Sequence, residues 1–166
     1  MRIIFIGMPG SGKTTMSKII SDIYQLPFYD LDELIENKHK INIRQLIKKD
    51  YELFRKIEAI EMKELFDCTK NSAVISLGGG TPIYNNFKKY LETEDIVFYL
   101  KVKKTKLITR LELCNHPMHS LMFNKIEYNK RMRKYRNIAD YIIANNNSIK
   151  CIIEKIKEII DAHFNN

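Results

Sequence analysis

Apolar positions follow two rhythms along the chain. Short runs, "RIIFI" (Arg2–Ile6), "SAVIS" (Ser72–Ser76), "DIVFYLKV" (Asp95–Val102) and "DYIIAN" (Asp140–Asn145), are continuous or nearly so and rich in β-branched and aromatic residues. Such runs predict strands, that of Ser72–Ser76 a buried one. "LPFYDLD" (Leu26–Asp32) predicts a further short extended piece, because Pro27 stops the preceding helix and Phe28 and Tyr29 favour strand. Between these runs the spacing changes to that of helices. Met16, Ile19, Ile20 and Ile23 form a stripe on "KTTMSKIISDIYQ". "LDELIENKH" and a long segment from Asn42 to Cys68, broken near Lys49–Asp50, also predict helix. "PIYNNFKKYLE", "KKTKLITRLE" and "NKIEYNKRMRKYRNIA" follow, and a last amphipathic helix ends the chain, with Ser148 its expected N-cap. Strands alternating with helices predict an α/β fold, a three-layer α/β/α sandwich around a parallel sheet of about five strands. No repeat or linker divides the chain, so residues 1–166 read as one domain.

Composition narrows the function classes. No apolar run reaches the ~20 residues of a membrane span. The N-terminal segment reads as a strand, not a signal peptide, so a cytoplasmic protein without a membrane partner is expected. Three scattered cysteines and four histidines show no disulfide or zinc spacing. The formal charge of +8 suits an anionic small substrate. Basic residues are not interleaved with aromatics, so no nucleic-acid partner is expected.

One segment carries strong chemistry. "GMPGSGKT" (Gly7–Thr14) fits G-x-x-x-x-G-K-[ST] between a predicted strand and helix, which makes it a P-loop. Gly7, Gly10 and Gly12 allow positive φ and let backbone N–H groups turn onto phosphate. The helix that follows directs its N-terminal dipole at the anion. Gly10, Ser11, Gly12, Lys13, Thr14 and Thr15 are therefore the expected nucleotide-binding residues, Lys13 with a catalytic charge and Thr14 with a hydroxyl for Mg²⁺.

The phosphate acceptor is sought elsewhere on the sheet. Asp30 and Asp32, taken as i and i+2 at a strand end, would point the same way. One would hold magnesium through water and the other would take a proton from an attacking hydroxyl. Arg55 and Glu58 are i, i+3 on a helix and suit each other or a bound carboxylate. Gly78–Gly80 end what is expected to be the central strand and leave bare backbone for a ligand. Arg131 offers a second cation.

In order, these pieces resemble the shikimate kinase family: the P-loop, the acidic pair, "FRKIE", the triple glycine, a lid proline at Pro117, and Arg131–Tyr135–Ala139–Asp140. The resemblance implies the P-loop NTPase fold of the nucleoside monophosphate kinase type, with a lid around residues 112–125. It implies transfer of the γ-phosphoryl of ATP to the 3-hydroxyl of shikimate, with one Mg²⁺. Asp32 would be the catalytic carboxylate, and Asp30 with Thr14 would serve the metal. Arg55, Arg131, Gly79 and Gly80 would bind shikimate, and Glu58 would orient Arg55. A monomer is expected, with ATP and shikimate its partners. The lid departs from the family's R-P-L-L, since His116 stands at the arginine position. His116 is taken as facing ATP, with Arg110 or Lys125 as substitutes for the missing charge. The loop Ala144–Ser148 is expected to border the base. A gluconate kinase-like or nucleotide kinase, and a catalytically weak binding protein on the same fold, remain alternatives.

Overall fold

The computed structural model describes residues 1–114, 116, 119–122, 124–146 and 148–164. Five parallel strands form the sheet: β1 (Arg2–Ile6), β2 (Phe28–Asp30), β3 (Ala73–Ser76), β4 (Ile96–Lys101) and β5 (Tyr141–Ala144). Their order is β2-β3-β1-β4-β5. The triple glycine therefore follows β3, one strand from the centre, and the central strand is β1.

Period-2 alternation on β1 explains the layers. Ile3 and Phe5 face one side, where they pack on Met16 and Ile20 of α1 (Lys13–Tyr24) and on Ile152, Ile156 and Ile160 of α8 (Ile149–Phe164). Ile4 and Ile6 face the other side, among the remaining helices: α2 (Leu31–His39), α3 (Ile43–Lys49), α4 (Tyr51–Cys68), α5 (Thr81–Tyr84), α6 (Lys104–Leu113) and α7 (Lys125–Ile138). Ile23, placed on the predicted stripe of α1, is 40% exposed, because the helix buries a narrower face. Asp50 makes the break between α3 and α4: its carboxylate caps α4 by accepting from Leu53 N at 2.9 Å. "PIYNNFKKYLE" divides into α5 and a 3-10 turn at Phe87–Tyr90. Ser148 Oγ accepts from Cys151 N at 3.4 Å, as expected of a cap.

The chain passes from β1 out to β2, back to β3, then across to β4. The strand order thus reverses beside β1. At such a switch point the loops at the strands' carboxyl ends part and leave a crevice. The loops after β1 and β3 are the P-loop and the triple glycine. Among the described residues no helix is long and apolar enough to cross a membrane.

Candidate active site

Backbone geometry accounts for the glycines of the loop. Gly12 precedes α1 with φ 90°, and a Cβ there would also crowd Asn145 Nδ2 at 3.0 Å. Gly7, at φ 149°, has the Leu100 carbonyl where a Cβ would stand. Because Gly12 has no side chain to cap α1, the first-turn amides are left for a ligand. Lys13 is buried, and its Nζ donates to Met8 O at 3.1 Å. Burial pulls its pKa below the usual lysine value, against the pull of Asp32 and Asp30.

Two hollows meet at Lys13 and Thr14. The outer one is bordered by Thr15, Lys106, Arg110, Asn145 and Ile149. Two of these brace the loop: Arg110 donates to Gly10 O at 2.8 Å and Asn145 Nδ2 to Ser11 O at 2.7 Å. Arg110 thus stands beside the P-loop, on the outer side of Lys13. Lys125 borders neither hollow. Asn145, within the Ala144–Ser148 loop, and Ile149, just after it, border the outer hollow; Asn147 lies outside the described residues.

The inner hollow is a cavity of about 300 Å³ holding Asp30, Asp32, Arg55, Glu58, Arg131 and the triple glycine. Asp30 and Asp32 do meet here, but not as neighbours on one strand. β2 ends at Asp30, which caps α2, accepting from Asp32 N at 3.0 Å and Glu33 N at 3.3 Å. Asp32 lies in the first helical turn. The other Asp30 oxygen accepts from Thr14 Oγ1 at 2.7 Å. A hydroxyl and a carboxylate oxygen side by side suit a hard divalent cation that keeps most of its waters. Among the described residues no group of three or more His, Cys, Asp or Glu forms a protein cage for a metal. Surrounding protein, then Asp30 and Glu58, push the Asp32 carboxyl up to about 7, against Lys13 and Arg55. The side chain still meets the open cleft, and cleft water tempers that rise.

Two guanidiniums close the far wall. Arg55 Nη1 donates to the buried Glu58 at 2.5 Å, and Glu58 also accepts from Thr81 Oγ1 and Asn85 Nδ2 at 2.8 and 3.0 Å. Tyr51, Phe54 and Tyr84 surround the Arg55 guanidinium, with ring centroids 4.7–4.8 Å from Cζ. Arg131 is 1% exposed, and its Nε donates to Glu127 at 2.9 Å. Arg55 Nε and Arg131 Nη1 are buried without partners. Buried donors are rarely left so, and an anion in the cavity would satisfy them. A side chain at Gly80 would overlap the Arg55 guanidinium, and one at Gly79 would overlap Pro9. Tyr135 OH donates to Gly79 O and pins the glycine turn to α7.

His116 borders the inner hollow, beside Arg44 and Lys13, and does not line the outer one. Burial, then Arg44 and Lys13, lower its pKa to about 4, so it is neutral at ordinary pH. Pro117 lies outside the described residues. Arg44, which motif reading missed, joins α3 to the end of α6 by donating to Cys114 O at 3.1 Å. No sequence spacing marks a contact across 70 residues.

A parallel sheet with a phosphate loop at its switch point, and an acid and two guanidiniums in the adjoining cavity, define a P-loop small-molecule kinase. A family model described as shikimate kinase matches residues 9–161, and the chain belongs to the shikimate kinase family. A shikimate kinase from Clostridium beijerinckii is 31% identical over 161 residues, covering 96% of this chain and 94% of the relative. One from Dictyoglomus turgidum is 37% identical, covering 95% and 94%. The solved shikimate kinase from Acinetobacter baumannii in complex with shikimate superposes with a TM-score of 0.84 at 25% identity, covering 97% of this chain and 93% of that one. A deoxyadenosine kinase from M. mycoides, at 20% identity and a TM-score of 0.64, shares the fold alone.

Proposed function

We propose that this chain is a shikimate kinase, moving the γ-phosphoryl of ATP to the 3-hydroxyl of shikimate to give 3-phosphoshikimate and ADP. The observation that carries the reading is the pair of unsatisfied buried guanidinium nitrogens, on Arg55 and Arg131, in one cavity with Asp32 and Lys13. An anionic ring acid satisfies the arginines through its carboxylate and Asp32 through its hydroxyls.

Gly10, Ser11, Gly12 and Thr15 cradle the ATP phosphates, and Lys13 balances charge on the β- and γ-phosphates. Thr14 and Asp30 would hold Mg²⁺, which supplies charge neutralisation on the phosphates when bound. Arg55 and Arg131 clamp the acceptor carboxylate, and Gly79 and Gly80 bring backbone against the ring. Asp32 orients the 3-hydroxyl and takes its proton as the oxygen attacks the γ-phosphorus and the bond to the departing ADP oxygen breaks. His116 forms part of the wall that keeps water from the transferring group. Residues 112–125 act as the lid of a single-domain enzyme that works as a cytoplasmic monomer without nucleic acid.

The test is ADP release with Mg-ATP over shikimate, quinate, gluconate and nucleoside monophosphates. Release with shikimate alone is expected. Release with gluconate or a nucleotide instead would overturn the reading, and shikimate binding without release would leave a non-catalytic binding protein.

A further inference from the structure

Tyr84 is not among the residues that line the acceptor cavity, yet it touches both halves of the guanidinium clamp. It stands at the end of α5, just past the triple glycine. Its ring centroid is 4.8 Å from Arg55 Cζ and 5.7 Å from Arg131 Cζ. Its hydroxyl donates to Glu127 Oε1 at 2.6 Å, the same oxygen that accepts from Arg131 Nε at 2.9 Å. Glu127 and Arg131 are i, i+4 on α7, so the helix itself holds that pair in reach. Tyr51 packs edge-on against the Tyr84 ring at 6.5 Å and fixes its tilt.

This arrangement solves two problems of a two-arginine site. The cations repel each other, and an aromatic face beside both offsets that repulsion. Each cation also has a resident acid that competes with any incoming carboxylate. Glu58 takes Nη1 of Arg55, and Glu127 takes Nε of Arg131, leaving Nη1 of Arg131 unbonded. The phenol directs Glu127 to the Nε edge. Freed from it, the Glu127 carboxylate can swing to the Nη end, where a ligand carboxylate binds. Burial works to raise the Glu127 carboxyl, but hydrogen bonds from Tyr84 and Arg131 overcome it and hold it below its ordinary value.

We propose that Tyr84 and Glu127 are positioning residues that set the spacing and the free edge of the Arg55–Arg131 clamp for the acceptor carboxylate. The inference rests on the proposed function and deepens it. The test is steady-state kinetics on Tyr84→Phe, Glu127→Ala and the double variant. Tyr84→Phe keeps the ring and removes one hydrogen bond. It is expected to raise KM for shikimate roughly fivefold, while kcat and KM for ATP stay within about twofold. Glu127→Ala is expected to raise it by about tenfold or more, and the double variant to lose no more than Glu127→Ala alone. An unchanged shikimate KM in Tyr84→Phe, an equal loss on the ATP side, or additive losses in the double variant would overturn the inference. Wild-type turnover of shikimate is the control: its absence overturns the functional reading and this inference with it, whereas its presence beside an unaffected Tyr84→Phe overturns this inference alone.

Discussion

Asp32 meets two opposed demands. As the proposed base it must be ionised, yet the protein around it, then Asp30 and Glu58, raises its pKa toward about 7, a rise that cleft water tempers. Below that value the carboxyl keeps its own proton and cannot accept the hydroxyl's. Hence kcat/KM for shikimate should climb as pH rises from 6 to 8 and then level; a flat profile would remove Asp32 from the base role. Asp32→Asn should cut kcat by roughly a thousandfold with ATP binding retained, read by turnover and calorimetry. The same residue also sets a stability cost. Its folded pKa is raised, so ionising it opposes folding above its unfolded value, a penalty that the water around this solvent-facing side chain keeps small. Asp32→Asn should therefore raise Tm at pH 8 and lose that gain near pH 4. His116 is neutral from well below the working range, so the climb between pH 6 and 8 should persist in His116→Asn. His116→Arg would set a third cation beside Arg44 and Lys13 on the acceptor side of Lys13 and should not raise the turnover number; a gain would point to a charge role on ATP.

At the scale of elements, most of the fold was legible because parallel strands buried on both faces write themselves as unbroken apolar runs. Arg2–Ile6 is buried throughout, as are Ala73–Ser76 and all but the last residue of Ile96–Lys101. The P-loop was legible for a different reason, since its function requires backbone shapes that only glycine supplies readily. Asp30 shows where reading by period alone falls short. "DLDE" carries a helix N-cap signature, aspartate with glutamate three residues on, and that local preference outweighs continuation of the strand. The acids still converge, because a capping residue and the first helical turn share one end of the helix. Contacts between distant positions left no trace in spacing: Tyr84 and Glu127 are 43 residues apart. The triple glycine gives a sharp test at this scale. Gly80 has φ −92°, so alanine there strains no backbone; the conflict is with the Arg55 guanidinium. Gly80→Ala should fold with Tm within a few degrees of wild type and raise shikimate KM by about tenfold, the loss of one charged hydrogen bond or more. A normal KM would detach Gly80 from the clamp.

For the whole molecule, the P-loop and triple glycine sit at one end of the sheet and a structural lock at the other. Arg2 begins β1, and its side chain is 3% exposed. It binds Asp95 through Nε and Nη2, donates to the carbonyls of Phe66, Thr69 and Tyr90, and lies 4.8 Å from the Phe66 ring centroid. The Asp95 side chain is as deeply buried, 2% exposed, and also accepts from Glu92 N at 2.9 Å. The pair ties β1 and β4 to the end of α4. Asp95→Ala leaves a buried cation short of its counter-ion and should cost about 3 kcal/mol of stability, read by denaturant titration, with shikimate KM unchanged. The net charge of the whole chain, +8, favours the approach of anionic substrates. The proposed function comes down to a phosphoryl group passing from the P-loop side of Lys13 to a hydroxyl held by Asp32, on an acceptor whose carboxylate the two arginines hold. Phosphorus NMR of a reaction with Mg-ATP and shikimate tests it most directly. A phosphate monoester of shikimate growing in step with ADP, and lost in Asp32→Asn, is the expected result; free inorganic phosphate instead, or the ester persisting undiminished in Asp32→Asn, would contradict it.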